Sequence, residues 1–436
     1  MRMSTRAAHR TVGTMALAAA LAVGLLASTP GTGHGATRHG PTSHGTGTRH
    51  AAAAPHITGA GHITGAGHAA EAGRVAGAAH AAEASPVTRT GRLTDMGRPA
   101  RTHHLAGNPV HPASEPGPPA TISTGWTVPW GLSWLPDGSA LLTERDAFKV
   151  SALTRSGTKR EVGEVPNVVT TGGEGGLLSI AVSPSWKTDH HVYVMHTADE
   201  GNRIARMTFD GSTLSDYTVV VDGIKKNTYH NGGRIKFGPD GYLYATTGDA
   251  QTPDLAQDRT SLNGKILRMT PEGKPAPGNP FHSLVYSYGH RNPQGLTWDD
   301  QGRLWEGELG DSKFDELNLV EPGKNYGWPR CEGGCSTSGM TNPKRQWPVA
   351  EASPSAVAYA DGAIYMAALR GERLWRIPVD GTSTGTPKAY YTHDYGRLRT
   401  VESVPGTRSL WLTTTNADNN GEGEAGSDKV FQIDLR

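Results

Sequence analysis

The chain has 436 residues with 42 basic and 41 acidic side chains, a balance that argues against a nucleic-acid-binding protein relying on net charge. Its 57 glycines and 29 prolines indicate many turns, disorder, or both. All 29 aromatic residues lie from Trp126 onward, so the segment before Trp126 cannot build a substantial core. The foldable part is therefore the C-terminal part of the chain, whose length is compatible with one large all-β domain.

Residues 1–30 have the layout of a signal peptide. Three arginines precede an apolar run at 15–27, which is followed by Ser28, Thr29 and Pro30. The apolar run is shorter than the ~20 residues that a membrane-spanning helix needs. We therefore predict secretion, to the extracellular space or the periplasm, without a stable membrane anchor.

Residues 31–118 are a low-complexity segment of Gly, Ala, His and Thr, and we predict a disordered linker there. The segment holds 11 of the 19 histidines, which raises the hypothesis of metal binding. Spaced histidines in a disordered segment would bind metals weakly and without fixed geometry, so we assign the segment no function.

Residues 119–436 contain six repeats of one pattern: a strand-like run, a turn rich in Pro, Asp and Gly, and a second strand-like run. The repeats begin near positions 131, 177, 233, 295, 355 and 400. This spacing is typical of propeller blades and predicts an all-β fold, a six-bladed β-propeller. A seven-bladed ring is the nearest alternative. The strand-like segments at 120–128 and 429–435 are expected to pair and close the ring.

Two clusters of polar residues precede strand-like runs. His230 lies just before one hairpin and Asp249 at its far end, so the carboxylate could orient the imidazole as a general base. In the next repeat, Arg291 and Asn292 suit a planar carboxylate or a quinone oxygen. Each cluster could equally be structural: a histidine that forms hydrogen bonds, and a turn.

Three other features carry candidate chemistry. The stretch 308–318 and the turn at 323–329 offer carboxylates and carbonyls, which suit Ca²⁺ or an ordinary solvated loop. Arg397 and Arg399 are two apart on a strand-like segment, and with Arg370 they could bind a ligand with several carboxylates or simply face water. Cys331 and Cys335 predict a local disulfide in an exported protein.

Five motifs in this part of the chain occur in an order typical of one family. They are GEGGLLSIAVSP (173–184), HNGGRIKFGPDGYLYATTGD (230–249), LNGKILRM (262–269), YGHRNPQGL (288–296) and NYGWP (325–329). In this combination the chain resembles the soluble sugar dehydrogenases that depend on pyrroloquinoline quinone (PQQ), the glucose and aldose sugar dehydrogenase family. The resemblance covers about residues 124–399 and implies a six-bladed propeller.

The resemblance also implies a reaction, the oxidation of aldose sugars to lactones with PQQ and Ca²⁺ as cofactors and an external electron acceptor. His230 would take the proton of the anomeric hydroxyl while a hydride passes from the sugar C1 to C5 of PQQ. Asp249 would orient His230. Arg291 and Asn292 would contact the quinone oxygens, which places Arg291 among the catalytic residues as well.

The remaining implied roles concern cofactor and metal binding. The resemblance places Glu174, Arg370, Arg397 and Arg399 around PQQ, the last two as a pair that binds its carboxylates. It places the PQQ-associated Ca²⁺ on the main-chain carbonyls of Gly310 and Asp311. It places a second, structural Ca²⁺ on Glu316 and the carbonyl of Tyr326.

Two departures from the family pattern bear on specificity. Arg370 stands where glucose-oxidising members have lysine, and Gly310-Asp311 replaces a glycine-proline turn, so we expect broad aldose specificity. Two alternatives stay open. One is a calcium-dependent propeller lactonase, which would not need the arginine set. The other is a non-catalytic propeller that binds carbohydrate or protein. The physiological sugar and the choice between monomer and dimer are left open.

Overall fold

The computed structural model describes residues 114–436, which contain strands, one short α-helix, α1 (Trp186–Asp189), and one 3-10 helix (Pro253–Ala256). The predicted signal peptide and nearly all of the predicted linker lie outside the described residues. In chain order the strands are β1 (Ala120–Trp126), β2 (Pro129–Trp134), β3 (Ala140–Glu144), β4 (Lys149–Leu153), β5 (Lys159–Glu164), β6 (Leu177–Val182), β7 (His191–Ala198), β8 (Gly201–Phe209), β9 (Leu214–Ile224), β10 (Ile235–Phe237), β11 (Leu243–Thr247), β12 (Lys265–Met269), β13 (Val285–Tyr288), β14 (Asn292–Trp298), β15 (Leu304–Leu309), β16 (Phe314–Val320), β17 (Arg345–Pro348), β18 (Pro354–Ala360), β19 (Ala363–Ala368), β20 (Arg373–Asp380), β21 (Ser383–Thr384), β22 (Lys388–Tyr390), β23 (Leu398–Ser403), β24 (Ser409–Thr414) and β25 (Asp428–Asp434).

These strands form six antiparallel sheets, the blades of a propeller. Blades 1 to 4 are β2–β5, β6–β9, β10–β13 and β14–β17, blade 5 is β18–β22, and blade 6 combines β23–β25 with β1. The first hairpin of each blade contacts the first hairpin of the next, and β23 of blade 6 contacts β2 of blade 1, so the blades form a closed ring. The predicted six-bladed propeller is confirmed.

Ring closure depends on the pairing between the first and the last strand. β1 lies antiparallel to β25, with Ala120 opposite Gln432 and Thr121 opposite Phe431. This pairing provides a backbone partner for the outer edge of β25, which would otherwise be an exposed edge of the sheet. The sequence prediction that these two segments pair is confirmed.

The core consists of six apolar clusters, each between two neighbouring blades. Every blade is therefore covered on both faces, and its second strand is buried along all of its length or all but one end residue. In β3 and β11, for example, every residue is buried. This packing explains why these segments read as continuous apolar or small-residue runs rather than as strict alternation.

Residues 114–117, which precede β1, contact the propeller. The backbone N–H of Glu115 donates to the carbonyl of Arg436 at 2.8 Å, and that of Gly117 donates to the carbonyl of Asp434 at 2.8 Å. Ser114 is buried. None of the helices in residues 114–436 has the length and apolar character required to cross a bilayer.

Candidate active site

One edge of the ring collects the residues that the sequence singles out. Because consecutive strands of a blade are antiparallel, the start of each first strand and the end of each second strand lie at the same edge. Before or at the start of first strands lie Glu174, His230, Arg291, Asn292, Arg397 and Arg399, and after second strands lie Asp249, Gly310, Asp311 and Arg370. The propeller therefore brings the predicted site residues from separate repeats to one face.

His230 and Asp249 form the dyad that the hairpin pattern suggested. His230 Nδ1 lies 2.8 Å from Asp249 Oδ1, and Asp249 is completely buried. Asp249 also accepts the backbone N–H of Gln251 at 2.8 Å on Oδ1 and the indole N–H of Trp328 at 2.7 Å on Oδ2. With two fixed N–H donors directed at it, Asp249 acts as an acceptor, and we assign the imidazole proton to Nδ1 on that ground. Nε2 is then the basic nitrogen, on a ring whose side chain is 16% exposed.

The backbone at His230 has the left-handed conformation, with φ of 61°. Gly248, at the end of the same hairpin, packs directly against this turn, because a Cβ there would lie 1.9 Å from the carbonyl oxygen of His230. A side chain at position 248 is therefore excluded by the close approach of the two backbones. The glycine in TTGD allows the hairpin to bring imidazole and carboxylate together.

Glu174 connects two of the other candidate residues. Its Oε2 accepts the backbone N–H of His230 at 2.8 Å, and its carboxylate accepts Nδ2 of Asn292 at 3.1 and 3.2 Å. Asn292 in turn accepts the backbone N–H of Gly232 at 3.0 Å. These hydrogen bonds connect blades 2, 3 and 4 next to the dyad. They also fix the orientation of the Glu174 and Asn292 side chains.

Arg291 is directed toward the turn at the end of β15. Its NH1 donates to the carbonyl of Gly310, its NH2 lies 2.9 Å from Asp311 Oδ1, and its guanidinium carbon lies 5.3 Å from the centroid of the Trp328 ring. Within the described part of the chain, its buried Nε has no hydrogen-bond partner. A buried donor without an acceptor is costly, so the site is suited to an additional acceptor from a ligand.

A cavity of 390 Å³ opens beside these residues. Four arginines and one carboxylate line it, and they are Arg145, Arg370, Arg397, Arg399 and Glu174. Such an excess of guanidinium groups over carboxylates suits a planar ligand that carries several carboxylates.

Arg397 and Arg399, here called the arginine pair, share one buried partner. Asp418 accepts Nε and NH2 of Arg397 at 3.0 Å each, and NH2 of Arg399 at 3.0 Å. Burial raises the pKa of Asp418, but the charges of Arg399 and Arg397 outweigh this effect and lower it. Burial lowers the pKa of Arg399 to about 10. One carboxylate thus compensates two cations, and a positive charge remains at the cavity wall.

Comparison with known proteins identifies the family. The family model for glucose/sorbosone dehydrogenases matches residues 126–422, which is more than half of the chain. The chain belongs to the glucose/sorbosone dehydrogenase family. Aldose sugar dehydrogenase YliI of Escherichia coli is 31% identical over 248 residues, which are 53% of this chain and 67% of that protein. Quinoprotein glucose dehydrogenase B of Acinetobacter calcoaceticus is 32% identical over 255 residues, 50% of this chain and 53% of that protein.

Solved structures agree with this assignment. The PQQ-bound form of the aldose sugar dehydrogenase from Streptomyces coelicolor is 50% identical, with a TM-score of 0.71, over 73% of this chain and 97% of that one. A Thermus thermophilus structure described as a putative oxidoreductase (glucose dehydrogenase) is 39% identical, with a TM-score of 0.67, over 72% and 99% of the two chains. The alignments with the E. coli and A. calcoaceticus relatives span only about half to two thirds of those proteins' lengths.

Glu316, which the sequence prediction assigned to a second calcium ion, lies in a buried acidic cluster. Glu316 accepts the backbone N–H of Gly333 at 2.7 Å and Nδ2 of Asn318 at 3.1 Å, and Glu306 accepts the same Nδ2 at 3.1 Å. Burial and the charge of Glu308 raise the pKa of Glu316 to about 8, and the same two causes raise that of Glu306. A cation would relieve this repulsion.

Two further observations fit a cation in this cluster. Among residues 114–436, buried Oε1 of Glu306 and Oδ1 of Asn318 have no hydrogen-bond partner. His290, Glu306 and Glu308 also present ligand atoms within 4.8 Å of one another. The carboxylate and amide oxygens among these groups are hard donors that suit Ca²⁺, whereas the imidazole nitrogen of His290 is not. Tyr326 borders the cluster, since its ring stacks on His290 with centroids 4.7 Å apart.

Cys331 and Cys335 form a disulfide, as the sequence predicted. The sequence reasoning missed Arg145, Trp328 and Asp418. Arg145 and Asp418 lie in the loops that follow the second strands of blades 1 and 6, as Asp249 does in blade 3. A search of these loops for charged residues would have included both of them, but their partners depend on contacts that the sequence does not reveal. Nothing in the sequence pairs Trp328 with Asp249 either.

Proposed function

We propose that this family member oxidises aldose sugars to lactones, with PQQ and Ca²⁺ as cofactors, and passes the electrons to an external acceptor. The observation that carries the proposal is a base dyad, His230 with Asp249, at the same edge of the propeller as a cavity lined by four arginines. The PQQ-bound S. coelicolor aldose sugar dehydrogenase, at 50% identity, supports the choice of cofactor.

The residues of this chain fit the cofactor in two respects. Arg370 and the arginine pair offer cations to the PQQ carboxylates, and the unpartnered Nε of Arg291 offers a donor to a quinone oxygen. The carbonyls of Gly310 and Asp311 would hold the calcium ion beside the quinone. When bound, PQQ supplies the two-electron acceptor and Ca²⁺ the Lewis acid that polarises it.

In the proposed mechanism the chain itself contributes orientation and proton transfer. Asp249 holds the imidazole with Nδ1 protonated, so Nε2 of His230 accepts the proton of the anomeric hydroxyl. The negative charge of Asp249 stabilises the imidazolium that results. Glu174 and Asn292 fix the backbone and the amide next to the dyad and thereby limit the orientations that the imidazole can adopt. The protonated His230 then returns its proton to solvent through its exposed edge.

For the second calcium ion we propose Glu316 and the carbonyl of Tyr326, with Glu306 and Asn318 as further ligands. The unpartnered oxygens of Glu306 and Asn318 support this extension of the ligand set. We also propose that the protein is secreted, to the extracellular space or the periplasm. The Cys331–Cys335 disulfide supports an oxidising compartment.

Reconstitution tests the proposal. The secreted protein is purified, PQQ and Ca²⁺ are added, and reduction of an artificial dye is followed with a panel of aldoses. We expect turnover with several sugars, and His230→Ala should abolish turnover while PQQ still binds. Absence of turnover with every sugar, together with absence of PQQ binding by absorbance, would refute the proposal. Lactone hydrolysis without dye reduction would favour the lactonase alternative.

A further inference from the structure

The turn that follows β15 has an unusual pattern of backbone hydrogen bonds. The N–H groups of four consecutive residues, Asp311 to Phe314, all donate to one oxygen of Glu332, at 2.7, 2.8, 2.7 and 3.1 Å. The N–H of Gly310 donates to Asp315 Oδ1 at 2.8 Å. Successive N–H groups that converge in this way form a concave anion-binding nest, and here a carboxylate of the same chain fills it.

Filling the nest determines which backbone groups stay available. Because the N–H groups of residues 310–314 are all bound by carboxylates, the peptide planes of the turn are held in place. The carbonyl of Gly310 accepts NH1 of Arg291 with one lone pair, which leaves its second lone pair for another ligand. A proline at position 311 would restrict the turn through its ring but would lack the N–H. In this chain Asp311 keeps its backbone N–H, and the hydrogen bond from this N–H to Glu332 restrains the turn in place of a proline ring.

Glu332 is itself held in position by covalent structure. It lies between Cys331 and Cys335, whose disulfide closes a short loop at the surface. The loop is also anchored at Gly333, whose N–H donates to Glu316, and at Cys331, whose N–H donates to the carbonyl of Gly327 at 3.0 Å. The Glu332 side chain therefore loses little conformational entropy when its carboxylate binds the nest. This low cost favours a preorganised turn.

We propose that Glu332 is a positioning residue for calcium: it preorganises the carbonyls of Gly310 and Asp311, and the Cys331–Cys335 bridge holds it in place. This inference rests on the proposed function, because it concerns the calcium ion assigned there to Gly310 and Asp311. Glu332 does not touch the cofactor in this account. Its loss should weaken calcium binding while leaving the chemistry intact once calcium is saturating.

The test measures calcium affinity rather than turnover alone. PQQ binding is followed by absorbance during a Ca²⁺ titration of the wild type, Glu332→Ala, Glu332→Gln and the control Glu164→Gln. Glu164 is an exposed residue on the outer strand of blade 1, with a side chain that is 67% exposed. We expect Glu332→Ala to raise the half-saturating Ca²⁺ concentration about tenfold or more, which corresponds to about 1.4 kcal/mol. Glu332→Gln keeps one acceptor oxygen and should show a smaller increase, and the control should show none.

A second measurement reports on the turn without any cofactor. Amide hydrogen exchange in a peptide covering 310–315 should be slow in the wild type and faster in Glu332→Ala, with the exchange of the other blades unchanged. The double variant Cys331→Ser/Cys335→Ser should shift exchange and Ca²⁺ affinity in the same direction. A variant that unfolds would show faster exchange throughout the propeller. If Glu332→Ala unfolds, exchange in residues 310–315 is compared between the wild type and Glu332→Gln instead.

The outcomes separate this inference from the proposed function. If the wild type binds PQQ in a Ca²⁺-dependent manner and both Glu332 variants have wild-type Ca²⁺ affinity, the positioning role is refuted and the proposed function stands. If the wild type binds no PQQ at any Ca²⁺ concentration, the proposed function fails and this inference fails with it. Equal kcat values at saturating Ca²⁺, with different Ca²⁺ affinities, support positioning over a catalytic role.

Discussion

Replacement of Asp249 by asparagine perturbs the proposed base most directly, because the change is nearly isosteric. Three donors converge on this residue: Nδ1 of His230, the backbone N–H of Gln251 and the indole N–H of Trp328. An amide has one acceptor oxygen and one NH₂ group, so it cannot accept all three. In one orientation, the amide oxygen of the new side chain accepts from His230 and Gln251, and its NH₂ group then faces the indole N–H of Trp328. In the other orientation, the amide oxygen accepts from Trp328, and the NH₂ group faces Nδ1 of His230. The second orientation favours the imidazole tautomer that is protonated on Nε2.

The magnitude follows from these two orientations. Two opposed donors in a fully buried position cost about 1–3 kcal/mol of stability, because one of them stays unsatisfied. Loss of the carboxylate also removes the charge that stabilises the imidazolium and fixes the tautomer. General-base catalysis contributes about 10²–10⁴-fold. We therefore expect kcat to fall about 10²–10⁴-fold, with PQQ binding retained.

The assay is steady-state dye reduction at saturating PQQ and Ca²⁺, with thermal unfolding measured on the same samples. Asp299→Asn is the matched control, because Asp299 is also buried and also accepts an indole N–H, that of Trp305 at 2.8 Å, but in another blade. The control should lose stability and keep its kcat. If Asp249→Asn retains kcat within about threefold of the wild type, Asp249 does not orient the base.

Three further predictions address the cavity, the core and the turn at the dyad. Asp418→Ala leaves the arginine pair without its counter-charge, so the unfolding free energy should fall by about 3 kcal/mol and PQQ should raise the Tm of the variant more than that of the wild type. Burial lowers the pKa of His196 to about 4, so the unfolded chain binds more protons between about pH 6.5 and 4 and the protein loses stability as pH falls through this window. His196→Asn should remove up to about 3 kcal/mol of that loss, measured by denaturant unfolding at several pH values. Gly248→Ala should lower kcat about 10²-fold by displacing the His230 backbone, whereas an unchanged kcat would show that the turn tolerates a Cβ.

The fold was predictable because the blade pattern is local. Each hairpin carries its own turn residues and strand pattern, so six repeats could be counted before any long-range contact was known. The pairing of β1 with β25 was predictable because an unpaired first strand and an unpaired last strand each need a partner. His230 and Asp249 were predictable because one hairpin joins them.

The unpredicted residues depend on contacts between repeats or on loop geometry. Asp418 lies beyond the end of β24, and its role appears only when the loop returns to the arginine pair. Arg145 belongs to blade 1 but lines the same cavity as residues of blade 6. Glu332 occupies a surface loop whose path is set by a disulfide and by packing against β16, neither of which leaves a periodic signal.

The seam between blades 6 and 1 has a consequence for how this protein would acquire the proposed cofactor. The cavity lies across that seam: Arg145 of blade 1 donates to Asn419 of blade 6 at 3.4 Å, and the N–H of Val128 donates to Asp428 at 3.0 Å. Its walls therefore meet only when the two ends of the domain have paired, a step with very large sequence separation and hence a slow one. An incompletely closed ring would lack the cavity in which we propose that PQQ binds. PQQ that binds only the closed ring would stabilise it, because such a ligand shifts the equilibrium toward closure.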